Sequence, residues 1–312
     1  MGNLVNNRFT RPLFGPAIRL VTGRRLPRRM VNACYNRLSF EDRASFFVSF
    51  AAAYRDVEVP AFEDDAWVVG FHETTAKVML RRDRLSERWA IALAICGHDS
   101  EIKQTYENIL ASQLRPDVFV DIGANFGTHG LLFARSDVHV VAFEPNPECV
   151  GFAGELQALN GVSIEWHQVA IGEERRDVVL SYPVDGTWLG QVDSPQPVAT
   201  GDDIRTLSVV QRRLDDYAFK AGRMLIKIDV EGHELAVLRG ATSTLAARRP
   251  LVLFESHRDS DKRALLWDEL VRARYAIAEL PWRPGNSVSA MGRTAFLAAA
   301  GMNFIALPNG AL

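Results

Sequence analysis

Cysteine is scarce in this chain of 312 residues. Cys34, Cys96 and Cys149 are far apart and no two have CxxC spacing, which excludes a disulfide framework and a cysteine-built zinc site. Long apolar runs are missing too. None approaches the roughly 18–20 residues that a bilayer-spanning helix needs, and no apolar segment with a small-residue cleavage site follows the first residues. An excess of either charge is also lacking. Thirty-six basic against 38 acidic residues leave a net charge of −2, so nucleic acid is not the expected partner. These absences predict a cytoplasmic protein without a transmembrane segment. One stretch lacks acids altogether: residues 1–38 carry eight arginines and no Asp or Glu. Pro12, Pro16 and Pro27 are expected to break any helix there. The stretch reads as a loosely packed basic arm able to touch an anionic surface or a polyanion. Its prolines and shortage of serine argue against a mitochondrial presequence.

What is present is an ordinary globular composition, 47% hydrophobic and 24% charged, sufficient for a sizeable core. The pattern is centred on residues 117–145. Val118 to Ile122 is a near-continuous apolar run, as in the middle of a parallel sheet. Gly123 and Gly127 bracket a tight loop where backbone can approach a ligand closely. Leu131, Leu132 and Phe133 follow in a helix, and Val138 to Phe143 reads as a second strand. That strand delivers Glu144, 23 residues after Asp121, to its carboxyl end. An acid there can accept both hydroxyls of a ribose, so a nucleoside cofactor is expected across the unit.

Two residues narrow the cofactor. Asn125 stands where a dinucleotide loop needs its second glycine, and Asp121 would repel a pyrophosphate. A cationic ligand without phosphate suits that carboxylate, and S-adenosylmethionine is one. The alternatives are an NAD-type oxidoreductase and a nucleotide-cofactor-binding protein without catalysis.

Around this unit, strands and helices alternate, which implies a mainly parallel, doubly wound α/β sheet. Upstream, residues 39–114 form a cap or lid. Phe40 to Tyr54 is helical behind Ser39, Val57–Val59 and Trp67–Val69 are strands or hairpin arms, and 85–114 is a helix broken at Gly97. The catalytic domain then spans 115–312. Within it, 162–171 is a third strand, 177–182 a further strand piece, and 183–204 a long loop that exposes Trp188. The strand Met224 to Val230 holds Lys227 and Asp229 on one side. A lysine in so apolar a strand requires a partner, and Asp229 or Glu255 is the natural one. Glu231 and His233 follow, and Glu255 ends the next strand.

VFVDIGANFGTHGLLFA, VVAFEPNP, RRLDDY, LIKIDVEGHELAVLRGA, LVLFE and NFIALP, in this order, resemble the FkbM family of methyltransferases over about residues 100–308. The resemblance implies a class I Rossmann-like methyltransferase fold, a seven-stranded sheet with its last strand antiparallel. It implies that Asp121, Gly123, Ala124, Asn125 and Gly127 form the first cofactor motif. It also places Glu144 on the ribose, Pro145 and Asn146 in the turn after it, and Ala170, with Val169, beside the adenine. His129 departs from the large apolar residue expected at its position. The implied activity is S-adenosylmethionine-dependent O-methylation of a small molecule, sugar or glycolipid. Methyl transfer to a hydroxyl needs a proton acceptor. Asp229 is the expected acceptor-side carboxylate, supported by Lys227, with His233 or Glu231 as general base. No metal site is expected. The alternative is Mg²⁺ held by Asp229, His233 and Glu255. The acceptor pocket is expected from residues 39–114, 183–204 and 281–303.

Overall fold

The computed structural model describes residues 16–17, 20–21, 24–55, 66–79, 97–183, 190–193, 204–258, 262–285 and 290–310. Val57–Val59, Trp188 and all of 85–96 lie outside them. The chain divides into two compact units, 1–107 with 156–161, and 108–155 with 162–312.

In the first unit, α1 (Arg25–Tyr35) and α2 (Phe40–Arg55) precede a hairpin of β1 (Ala66–Phe71) and β2 (Thr74–Met79). The helix α1 overturns the expectation that Pro27 breaks any helix. Pro27 falls in its first turn, where a backbone N–H has no intrahelical acceptor to lose. The half-buried Asn36 side chain substitutes for a neighbouring strand, accepting from Gly70 N (2.8 Å) and donating to Val68 O (3.0 Å). Arg43, buried, donates to the carbonyls of Leu38, Asn36 and Gly70. A guanidinium satisfied on three carbonyls is how a buried cation is tolerated without a carboxylate. The edge of β2 is closed by Asn160, whose amide pairs with both Lys77 N and Lys77 O at 2.7 and 2.8 Å. Beyond the expected break at Gly97, the chain continues as α3 (Ser100–Leu110).

The second unit is a seven-stranded sheet. It comprises β3 (Val118–Ile122), β4 (His139–Phe143), β5 (Ile164–His167), β10 (Met224–Ile228), β11 (Leu251–Glu255), β12 (Tyr275–Glu279) and β13 (Asn303–Pro308). Their spatial order is β12-β13-β11-β10-β3-β4-β5. β13 runs antiparallel between β11 and β12, while the pairs made by β3, β4, β5, β10 and β11 among themselves are parallel. This is the class I Rossmann-like methyltransferase fold. All five residues of β3 and of β10 are buried, which is why both read as apolar runs interrupted only by Asp121 and Lys227. On one face Phe119 stacks on Phe133 of α4 (Thr128–Ala134), centroids 4.0 Å apart. After β4 comes α5 (Pro147–Asn160), entered through the Asn146 side chain, which accepts from Glu148 N at 3.0 Å. On the other face Val118, Val120 and Ile122 share one core with Ile226, Ile228 and the helices α6 (Glu234–Gly240), α7 (Thr242–Arg248) and α8 (Lys262–Arg272). Because the order of strands reverses between β3 and β10, a crevice opens at their carboxyl ends.

One strand differs from expectation. Residues 162–171 form two strands, β5 in the main sheet and β6 (Ala170–Ile171) in a second one. A tight turn, Val169 N donating to His167 O at 2.9 Å, breaks the run. The other members are β7 (Arg176–Pro183), β8 (Gln191–Val192) and β9 (Ile204–Arg212), in the order β6-β9-β7-β8. β8 thus occupies part of the segment expected as loop. No helix among the described residues is long and apolar enough to cross a membrane.

Candidate active site

The crevice is lined first by the loop after β3. Gly123 N and Ala124 N both donate to Phe143 O, at 3.0 and 3.1 Å, which bends the chain directly after the strand. Gly123 has φ +77°, and a Cβ there would stand 1.8 Å from the carbonyl oxygen of Asp229. Asn125 (φ +51°) and Gly127 (φ +72°) are left-handed as well. This turn presents main chain to the crevice and explains the glycine spacing.

Glu144 is the loop's counterpart at the end of β4. Its carboxylate accepts from Asn125 N (2.8 Å) through one oxygen and from Asn146 N (2.9 Å) through the other. Pro145, without an N–H, leaves that geometry uncontested. A carboxylate has about four acceptor positions, so two remain for ribose hydroxyls. Burial pushes its pKa up to about 7, against the pull of the two amides. Glu144→Ala should weaken S-adenosylhomocysteine binding on the order of 100-fold, since hydrogen bonds to a charged group are worth about 1.5–3 kcal/mol each. Titration calorimetry checks this, with Glu144→Gln expected between the two. Unchanged affinity in Glu144→Ala would remove the ribose assignment.

Asp121 is fully buried and faces Lys227 across the β3–β10 register. One oxygen accepts from Gly130 N at 3.1 Å. The other has no hydrogen-bond partner among the described residues. Burial raises the Asp121 pKa to about 6, opposed mainly by the Lys227 charge. An orphaned buried acceptor beside the crevice fits a cationic ligand such as the sulfonium and ammonium of S-adenosylmethionine. Ala170 is buried in the apolar cluster of the second sheet, with Val178 and Leu180. His129 is half-buried in the first turn of α4.

On the acceptor side, Lys227 is buried and donates to Asp229 at 2.9 Å, settling the choice of partner between Asp229 and Glu255. Glu255 is hydrogen-bonded to the same Asp229. Burial and the Asp229 charge push the Glu255 pKa up to about 9, so it holds its proton at neutrality. Glu231, also raised by burial and by Asp229, lies near 7. The loop carrying Glu231 is pinned by Glu234, which accepts from Gly232 N at 2.9 Å and Val230 N at 3.3 Å. Glu231 is therefore free of capping duty. His257 Nε2 stands 3.9 Å from Glu255 and 4.0 Å from Glu231.

Asp229, Glu231, Lys227 and Glu255 are thus brought together. His233 is not among them: its Nε2 lies 3.2 Å from Gln211 of β9. Burial, Lys262 and Arg176 lower its pKa. A convergence of Asp229, His233 and Glu255 on one ion therefore does not form. Glu231, Glu255 and His257 instead have donor atoms within 4.8 Å of one another. Neither His257 nor Glu234 stands out as a site residue in the sequence. His257 does carry a signal, an imidazole two residues beyond the acid that ends β11. Glu234 carries none, being indistinguishable in sequence from any acid in the first turn of a helix.

The switch-point crevice, the left-handed glycine loop and the paired acids are the arrangement that a class I methyltransferase fold is expected to present at this end of the sheet. Residues 121–276, half of the chain, match the family described as the methyltransferase FkbM domain, and the chain belongs to that family. It is 27% identical over 150 residues to the hexuronic acid methyltransferase AglP of Haloferax volcanii, covering 46% of this chain and 58% of that protein. It is 28% identical over 141 residues to Methyltransferase 1 of Beauveria bassiana, covering 39% and 57%. The aligned stretch thus spans somewhat over half the length of these curated relatives. Among solved structures, the FkbM methyltransferase from Methylobacillus flagellatus aligns with 18% identity over 72% of this chain and 54% of that one, TM-score 0.39.

Proposed function

We propose that this protein is an S-adenosylmethionine-dependent methyltransferase that methylates a hydroxyl of a small molecule, sugar or glycolipid. The carrying observation is the meeting, at the ends of the adjacent parallel strands β3, β10 and β11, of Asp121 and the Gly123 loop with Lys227, Asp229 and Glu255. The relative named for hexuronic acid supports a sugar-like acceptor.

When bound, S-adenosylmethionine supplies a methyl group already activated by its sulfonium. Asp121, Gly123, Ala124, Asn125, Gly127, Glu144, Pro145 and Asn146 would hold it. The chain's remaining task is to orient the acceptor and take its proton. Asp229, paired with Lys227 at 2.9 Å, accepts a hydrogen bond from the acceptor hydroxyl. Glu231 takes the proton, because a base with a pKa near 7 is matched to neutral conditions. Glu255 keeps its own proton and donates to Asp229, fixing that carboxylate in place. His233, held on Gln211, contributes to the loop rather than to the proton path.

Incubation with isotopically labelled donor and a host metabolite extract, followed by mass spectrometry, tests the reading and identifies the acceptor. With the acceptor known, Glu231→Gln should lower kcat by about 10²–10⁴, and His233→Ala by much less. The wild-type rate should rise with pH through about 7 as Glu231 loses its proton. The reverse ranking of the two variants would return the base to His233. A second reading adds a divalent cation held by Glu231, Glu255 and His257, favoured by their 4.8 Å convergence. A mixed oxygen–nitrogen set suits Mn²⁺ or Zn²⁺ better than Mg²⁺, which prefers oxygen alone. Full turnover after exhaustive chelation would exclude it.

A further inference from the structure

The basic stretch takes no part in the site described above, yet α1 gives it a defined shape. The inward side of α1 buries Arg28 and Tyr35. Its outward side carries two parallel stripes. Arg25 and Arg29, four residues apart and therefore stacked along the helix, form one. Leu26 and Met30, at the same spacing on the adjoining stripe, are 70% and 62% exposed. Leu20, ahead of the helix, is 51% exposed. In sequence, residues 1–38 hold eight arginines and no acid.

From this combination we infer that the outward face of α1 lies on an anionic lipid bilayer, its arginines at the headgroups and Leu26 and Met30 below them. Charge alone would serve a polynucleotide equally well. The apolar stripe decides between the two, because phosphodiester backbones reward cations and give nothing to an exposed leucine or methionine, whereas a membrane interface rewards both. The arginine stems suit the same boundary, since their methylenes lie along apolar surface while the guanidinium reaches water. At 11 residues the helix rests on the bilayer and does not cross it. The expected effect is partial, reversible attachment that holds the protein where membrane-linked substrates are.

The test is flotation of the full chain with vesicles of mixed phosphatidylglycerol and phosphatidylcholine, compared with pure phosphatidylcholine. The wild type should float with the anionic vesicles alone, and salt should release it. Arg25→Gln with Arg29→Gln should lower the partition coefficient about 25-fold, at roughly fivefold per cation near an anionic surface. Leu26→Ser with Met30→Ser should lower it by about tenfold or more with charge unchanged. Circular dichroism establishes that both variants stay folded, and both are read on surface residues outside the active site. Equal partitioning of the Ser variant would overturn the inference, as would equal floating on neutral vesicles. Tighter binding of a single-stranded oligonucleotide than of the anionic vesicles, insensitive to the Leu26 and Met30 changes, would overturn it in favour of a nucleic acid.

Discussion

Gly123→Ala should abolish measurable S-adenosylhomocysteine binding and destabilise the chain by about 2–5 kcal/mol, because two costs add. A left-handed φ of +77° strains any L-residue by about 1–2 kcal/mol. The new Cβ would also stand 1.8 Å from the carbonyl oxygen of Asp229, a backbone atom with no rotamer to escape into. That carbonyl belongs to a residue whose own N–H is fixed on Ile122 O at 3.0 Å, so the end of β10 must shift with it. Overpacking of this kind adds about 1–3 kcal/mol. Binding suffers more than stability, because the shift spreads the two loops that form the crevice. Gly127→Ala is the internal comparison. It has a similar φ, but its Cβ would meet the Trp166 ring at 2.8 Å, a side chain able to move. Thermal denaturation and calorimetry of both variants decide the matter. Wild-type affinity in Gly123→Ala would mean that the loop does not carry the cofactor.

The spacing of these two glycines is legible in the sequence, whereas the difference between their surroundings is not. The β3–loop–α4–β4 unit can be read from residues alone because its signals are local. An apolar run, glycines four apart and an acid closing the next strand are all set by chain geometry within 30 residues. The Lys227–Asp229 pair is legible for the same reason: two residues apart on a strand share a face, and a lysine among isoleucines needs an anion. What the sequence hides depends on partners distant along the chain. His233 sits two residues from Glu231 and has an imidazole's chemistry, but its direction is decided by Gln211 on another sheet. Glu255 and His257 reach the site because β11 lies beside β10, a fact of strand order. The split of 162–171 turns on one hydrogen bond between His167 and Val169 that leaves the hydrophobic pattern unbroken. Pro27 misleads because its cost depends on where a helix starts, and no side-chain cap marks that start.

Asp229→Ala should lower kcat by about 10²–10⁴ and cost about 3–5 kcal/mol of stability, because it breaks a buried ion pair. Lys227 is 3% exposed, and Asp229 is its 2.9 Å ion-pair partner. Without Asp229 the charge faces Asp121 across the register, and Asp121 already lies near the edge of ionisation at about 6. The stability loss therefore belongs to Lys227 and the rate loss to the acceptor. A double substitution separates them. Lys227→Met with Asp229→Ala removes the buried charge as well, so it should recover most of the lost stability and none of the rate. Lys227→Met alone leaves Asp229, 32% exposed, to be hydrated. It takes from Asp121 the cation that opposes desolvation, so the Asp121 pKa should rise above about 6 and cofactor affinity at neutral pH should fall. Denaturant unfolding and single-turnover rates of the four proteins complete the cycle. If the double variant regains turnover along with stability, Asp229 acts only as the lysine's counter-ion and the acceptor-side role passes to Glu231 and Glu255.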